Sequence, residues 1–330
     1  MIHAPVMLAE VCAALDPKAG ERMVDCTFGA GGYSQALLES AEIHLLGLDR
    51  DPTVKPHAEA LAARFGDRFS FAQTPFSDLE AAIAAQNWDG VDGVVLDIGV
   101  SSMQIDNAER GFSFMRDGPL DMRMGDSGPS AADAVNTLDA AALVAIFRIF
   151  GEERGARRAA AAIVEARKEA PILTTGALAQ LMASVLGKGW QKIHPATRVF
   201  QALRIYINDE LGELGRALQA AERALRPGGR LVVVSFHSLE DRIVKQFFRL
   251  RAEAPSTGSR HIPVGDVAAF SPAFTLLGRK AVKPGADEVG TNPRARSARL
   301  RAGVRSETAP ISTNDLDFPG IPDLGTVEAL

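Results

Sequence analysis

Over the first hundred positions, short apolar runs alternate with stretches in which apolar residues recur every three or four positions, the pattern of strands and helices wound around a parallel sheet. Met23 to Cys26, His44 to Leu48, Arg68 to Ala72 and Gly93 to Asp97 predict four buried strands, with helices over Val54 to Phe65 and Leu79 to Gln86. After Asp97 the rhythm changes. Residues 105–128 are rich in Gly, Pro, Asp and Met and predict a loop-like stretch, and an alanine-rich helical region runs from about Ser130 to Met182. No strand pattern returns before about residue 230. Ile207, Leu211, Leu214, Leu218, Ala221 and Leu225 mark an amphipathic helix stopped by Pro227-Gly228-Gly229, and Leu231 to Phe236 predicts a fifth strand. Ser238, with Asp241 three positions later, predicts a capping box for a helix carrying Ile243, Val244, Phe247 and Phe248. From Ala254 to Lys283 the Pro and Gly content predicts a hairpin with long loops, and the last two dozen residues predict a loose tail.

This pattern predicts an α/β chain in which a helical insertion, residues 105–204, interrupts a sheet domain made of residues 1–104 and 205–305, with a tail over 306–330. At 330 residues, 46% hydrophobic and 23% charged, the composition is that of a globular chain with a sizeable core, and collagen-like or wholly disordered classes are excluded. No apolar run reaches the roughly 20 residues that span a bilayer, and nothing at the N-terminus marks the chain for export, so no membrane association and a cytoplasmic location are expected. Two cysteines, Cys12 and Cys26, are too few for a zinc cluster or a disulfide framework, and no metal is expected. The net charge of −5 hides an asymmetry: Arg260 to Arg305 holds nine Lys or Arg against three acids, a balance of +6 on a body of −11. A basic segment on an acidic body suits a phosphate backbone or, equally, a solvated surface.

The first chemical constellation is Asp25-Cys26-Thr27-Phe28-Gly29-Ala30-Gly31-Gly32-Tyr33, between the first strand and a helix. Glycines let the backbone turn tightly and approach a ligand, and the helix start offers free amides. The dehydrogenase fingerprint would need a third glycine where Ser34 stands, whereas the acid four positions before Gly29 resembles the cofactor loop of S-adenosylmethionine-dependent methyltransferases. Asp49, twenty residues after Gly29 at the end of the second strand, suits the hydroxyls of an adenosine ribose in either cofactor type. Phe76, after the third strand, is placed to lie against an adenine or to fill the core. Asp97 ends the fourth strand, at the same carboxyl edge of the sheet.

Together with these, Asp97-Ile98-Gly99-Val100-Ser101-Ser102, the block from Glu109 to Met124, His194-Pro195-Ala196-Thr197-Arg198, Ser235 to Arg242 and Asn292-Pro293-Arg294-Ala295-Arg296-Ser297 resemble the bacterial 16S ribosomal RNA cytosine N4-methyltransferase family, RsmH (formerly MraW). The blocks run in order from about His3 to Leu300. The resemblance implies a class I, Rossmann-like methyltransferase sheet with an inserted all-helical domain for substrate recognition. It also implies S-adenosylmethionine as methyl donor, and a cytosine in the decoding region of 16S rRNA, within the small ribosomal subunit, as acceptor. Carried over by position, cofactor contacts fall on Gly31, Gly32, Tyr33, Asp49, Phe76, Asp97 and Gln104. Two residues depart from the family pattern: Tyr33 replaces a histidine common after the paired glycines, and Met103 a proline common before Gln104.

Cytosine N4 is a weak nucleophile because its lone pair is delocalised, so catalysis needs alignment with the methyl group and an acceptor for the amine. The Asp-Pro-Pro-Tyr motif of many DNA amino-methyltransferases is replaced here by Asp97-Ile98-Gly99-Val100. Asp97 is the first choice for the acceptor, although the resemblance also assigns it to the cofactor, with His237 and Asp241 as weaker choices. For RNA, the stretch from Arg110 to Arg116 interleaves Arg110 and Arg116 with Phe112 and Phe114, which suits an extruded base and its phosphates or an interdomain hinge. His194 and Arg198 are expected near the same cleft, and Arg294 and Arg296 in the basic segment. A nicotinamide-dependent oxidoreductase accounts for only the glycine loop and Asp49. A non-catalytic ribosome-assembly factor leaves the cofactor constellation idle. The sequence leaves the oligomeric state open.

Overall fold

A computed structural model describes residues 5–187, 194–253 and 270–311 of the chain. The chain forms two compact units, Met1–Gly99 with Glu213–Ile321, and Val100–Gly212. In the first, α1 (Leu8–Leu15) precedes β1 (Arg22–Asp25), α2 (Gly32–Ser40), β2 (His44–Asp49), α3 (Lys55–Phe65), β3 (Phe69–Gln73), α4 (Leu79–Ala85) and β4 (Val91–Asp97). β1 lies between β2 and β4, and β2 also pairs with β3, all in parallel. Met23, Val24, Leu45, Leu46, Leu48 and Val94 to Leu96 are buried, as strands covered on both faces require, which is why they read as unbroken apolar runs.

The second unit is helical: α5 (Ser102–Asp106), α6 (Ala131–Thr137), α7 (Ala140–Ile149), α8 (Ala156–Glu169), α9 (Thr175–Leu186) and α10 (Thr197–Asn208). Ser130, Asp139 and Thr174 cap α6, α7 and α9 by accepting backbone amides, each contributing about 1 kcal/mol. Leu143, Ile146, Phe147, Ile163, Leu178, Met182, Val199 and Leu203 form the core of this unit. The stretch over 105–128 is irregular, as its composition predicts, but well fixed. Asn208 donates to the Met122 carbonyl and accepts from the Met124 amide, both at 2.7 Å, while Asp117 accepts from the Gly176 amide at 2.7 Å.

The chain then continues through α11 (Glu210–Ala224), β5 (Leu225–Ser235), α12 (Ser238–Ala252), β6 (Phe274–Leu276), α13 (Ala286–Thr291) and β7 (Arg299–Arg305). β5 pairs in parallel with β4, and β7 lies antiparallel between β5 and β6, giving the order β3-β2-β1-β4-β5-β7-β6. The sheet is thus a mixed seven-stranded α/β sheet in which only β7 runs antiparallel to its neighbours. Among the described residues no helix is long and apolar enough to cross a membrane.

Three expectations change. Leu225 does not end the amphipathic helix. It begins β5 opposite Val91, and Pro227-Gly228-Gly229 forms a bulge where the register shifts between Val91 and Gly93. The cap of α12 sits one residue earlier than expected. His237 accepts from the Glu240 amide, and Glu240 reaches back to the amides of Phe236 and His237, because its side chain is long enough and Asp241 is bound instead to Arg301 at 2.8 Å. Finally, the expected hairpin from Ala254 to Lys283 lies partly outside the described residues, and its described part supplies β6, whose partner is β7. β7 was hidden by its arginines. Arg301 pairs with Asp241, and the buried Arg305 donates to the carbonyls of Glu222 and Ala273. Arg260 and most of the expected tail, residues 312–330, also lie outside the described residues.

Candidate cofactor and substrate sites

At the carboxyl edge of the sheet the strand ends are joined by hydrogen bonds through the glycine loop. Asp49 at the end of β2 accepts from the Gly29 amide through Oδ2 at 2.8 Å and from the Asp51 amide through Oδ1 at 2.9 Å. The Asp97 amide at the end of β4 donates to Thr27 Oγ1 at 2.7 Å. Asp25, buried at the end of β1, accepts from Ser34 Oγ at 2.7 Å and from the Thr27 amide at 3.2 Å. Thr27 and Asp25 therefore set the loop on which the expected contacts stand.

The paired glycines have distinct local causes. Gly31 has φ of 78°, and a Cβ there would come within 2.8 Å of the Phe28 ring, which lies against Gly47 and packs on Phe69 and Phe71. A Cβ on Gly32 would come within 2.2 Å of Pro5. Both positions thus exclude a side chain before any ligand is considered. Gly29 differs, since a Cβ there would meet only the Thr27 carbonyl at 3.8 Å. Tyr33 is buried, and its hydroxyl donates to the Val6 carbonyl, so its side chain anchors the N-terminal segment to α2. Phe76 is half-buried at the start of a turn whose Ser77 donates to Glu213 at 3.1 Å.

The electrostatics distinguish the two strand-end acids. Burial raises the Asp49 carboxyl to about 6 against two stabilising backbone amides. Asp97 is pushed well above the usual carboxylate range by burial first, then by the charges of Asp25 and Glu240, with the Tyr33 hydroxyl acting in the opposite direction. Its Oδ1 is sealed from solvent and has no hydrogen-bond partner among the described residues. A buried acceptor left unsatisfied costs about 1 to 3 kcal/mol, so this atom calls for a donor from a ligand. With the ribose-type acceptor Asp49 and the open backbone at Gly29, the residues present fit an adenosyl cofactor, and Asp97 Oδ1 fits an amine donor.

His237 lies after β5, and one of its ring nitrogens is engaged locally. Nδ1 accepts from the Glu240 amide at 3.4 Å, whereas Nε2, buried 2.9 Å from Glu240 Oε1, has no hydrogen-bond partner among the described residues. Arg294 and Arg296 are exposed on the turn Pro293–Ser297, which Asn292 caps.

In the helical unit, Gln104 is buried and forms the capping box of α5, its Oε1 accepting from the Ser101 amide at 2.9 Å; Met103 before it is half-buried. Arg110 donates to the carbonyls of Arg123 and Met124, both at 2.9 Å, and sits 5.7 Å from the Phe112 ring. Phe114 lies tilted against His194 at 4.7 Å and meets Phe200 edge-on at 4.8 Å. Arg116 donates to the Asp106 carbonyl, and Arg198 to the Glu152 carbonyl at 2.9 Å. The basic-aromatic stretch is thus bound up within its own unit, and the apolar side chain it leaves in solvent is Met115, 83% exposed. Sequence reasoning passed over Met115 because a single methionine carries no motif.

Residues 1–306 match the family model of the MraW methylase family. Ribosomal RNA small subunit methyltransferase H of Maricaulis maris (strain MCS10) is 56% identical over 328 residues, covering 99% of this chain and 98% of that protein. The protein of the same name from Xanthobacter autotrophicus (strain ATCC BAA-1158 / Py2) is 55% identical over 317 residues, covering 95% and 90%. Among solved structures, an rRNA methylase from Streptococcus thermophilus aligns with a TM-score of 0.40 at 9% identity, over 93% of this chain and 99% of that one. The match along nearly the whole described chain makes this protein a member of the MraW methylase family.

Proposed function

We propose that this protein methylates N4 of a cytosine in the decoding region of 16S ribosomal RNA, on the small ribosomal subunit in the cytoplasm, with S-adenosylmethionine as donor. The relatives' shared name supports the RNA substrate. The observation that carries the chemistry is Asp97 Oδ1, a sealed acceptor without a partner among the described residues, at the end of β4.

S-adenosylmethionine supplies, when bound, a methyl group on a positively charged sulfur. Asp49 would hold the ribose hydroxyls, the backbone of Gly31, Gly32 and Tyr33 would line the cofactor, and Phe76 would lie against its adenine, with Gln104 as the further contact that the family resemblance implies. Asp97 accepts a hydrogen bond from the amine to be methylated, through Oδ1, favouring charge on nitrogen as the bond forms. His237 acts as a positioning residue that fixes the start of α12. A C5 mechanism needs a thiolate nucleophile, and the cysteines are ill suited: burial raises both thiols, and in Cys26 the Asp25 charge adds to it.

Labelled S-adenosylmethionine incubated with the protein and small subunits from cells lacking the gene tests the reading. Label in small-subunit RNA is the expected result. Label confined to protein, or none at all, would overturn it.

A further inference from the structure

The cations that the sequence singled out at Arg110 and Arg116 are bonded to carbonyls within their unit, whereas a different set of arginines faces solvent. Residues 148–158, around the turn between α7 and α8, hold four arginines against two glutamates. Arg148, Arg154, Arg157 and Arg158 are exposed, and none of them enters an ion pair among the described residues, whereas Arg123, Lys168 and Arg204 do. Glu153 is turned inward, with its carboxylate accepting from the Gly155 amide at 2.6 Å, so Glu152 is the acid of the turn left at the surface.

The turn is rigid. A Cβ on Gly151 would come within 2.6 Å of the Arg198 carbonyl, and one on Gly155 within 2.5 Å of Leu186. It is therefore wedged between α10 and the end of α9. Arg198, bonded to the Glu152 carbonyl, adds a fifth guanidinium beside the turn, on the helix whose Phe200 meets Phe114 edge-on.

Folding does not select this arrangement. Arg157 and Arg158 occupy the first turn of α8, where the aligned peptide dipoles place about half a positive charge and acids are the stabilising residues. Arg154, just before the N-cap Gly155, adds a third cation ahead of this helix start. A local rule broken at the surface of a well-packed unit points to a partner that supplies the missing negative charge. We propose that the α7–α8 turn, through Arg154, Arg157 and Arg158, is a phosphate-contacting surface for the substrate RNA. The proposal rests on the reading above that the substrate is ribosomal RNA.

The test uses the full-length protein with Arg154, Arg157 and Arg158 all changed to Gln, small-subunit ribosomal RNA as the probe, and a matching triple Lys variant. Every arginine–phosphate pairing removed should lower the slope of log affinity against log salt by about 0.7 to 0.9, so the Gln variant should lose about 2 to 3 in slope and show a KM for RNA raised roughly tenfold or more near physiological salt. Its kcat at saturating RNA, cofactor affinity and melting temperature should match those of the parent, and the Lys variant should keep most of the slope. An unchanged slope and KM in the Gln variant would overturn the proposal. So would a variant that binds naked RNA normally yet loses affinity for the assembled subunit, since the surface would then contact a ribosomal protein. A parent that binds RNA through this surface but transfers no methyl group would leave the surface standing and remove the proposed reaction.

Discussion

Asp49 and Asp97 are alike in sequence, each an acid closing an apolar run, and the structure gives them different work. Asp49 already accepts two backbone amides and is raised to about 6, so it is ionised at neutral pH and becomes protonated below that value. Changing it to Ala should weaken S-adenosylmethionine binding by roughly 1.5 to 3 kcal/mol for each charged hydrogen bond removed, measured by calorimetry. Affinity should also fall as pH drops through about 6. The sign for folding is opposite. Because the folded-state value is raised, the stability this carboxyl contributes without ligand is full below its ordinary value and is lost as pH rises through about 6. For Asp97, whose carboxyl is pushed well above the usual range by burial and by two neighbouring acids, a positively charged sulfonium nearby should favour ionisation. S-adenosylmethionine should therefore release a proton on binding that S-adenosylhomocysteine, lacking that charge, does not. Calorimetry in buffers of different ionisation enthalpy reads this directly, and equal proton release by both would contradict it. These two acids stood out in the sequence because a carboxylate after an apolar strand breaks a pattern. Thr27 and Phe28 did not, since their roles depend on partners as remote in sequence as Asp97 and Gly47.

Among elements, the parallel strands were legible because burial on both faces leaves a plain run of apolar residues. β7 was not. Its Leu300 and Ala302 are buried, but Arg299, Arg301 and Arg305 before, between and after them suggested a nucleic-acid surface, and the ion pair and carbonyls that satisfy two of them come from α12 and from the regions of Glu222 and Ala273. The His237 cap was missed by one position because the usual capping residues led to Ser238. The buried group around Glu222 gives an element-scale prediction. Glu222 accepts from Arg251 Nε, and the Arg305 guanidinium donates to the Glu222 carbonyl, so α11, α12 and β7 meet at two guanidinium groups and one carboxylate. Changing Glu222 to Gln should cost about 3 to 5 kcal/mol, the usual penalty for stranding a buried charge, measured by denaturant unfolding. A loss below about 1 kcal/mol would show that solvent reaches the arginines.

For the molecule as a whole, the sheet that positions Asp49 and Asp97 and the inserted helical unit were both anticipated from the break in hydrophobic rhythm after Asp97. Less legible was where the outward-facing cations lie. Counting charges drew attention to the segment ending at Arg305, part of which is built into the sheet, whereas the exposed arginines of the α7–α8 turn sit where cations outnumber acids by only two over residues 148–158. Net charge sums over groups already satisfied within the fold, so it locates a surface only after those pairs are known. What the protein does depends on what the reaction produces. Mass spectrometry of nucleosides from small-subunit RNA, methylated by this protein in the presence of S-adenosylmethionine, should show N4-methylcytosine and lose that product in the Asp97→Asn variant, by about a hundredfold or more in kcat with cofactor still bound. A C5-methylated or ribose-methylated nucleoside, or an Asp97→Asn variant of undiminished rate, would contradict it.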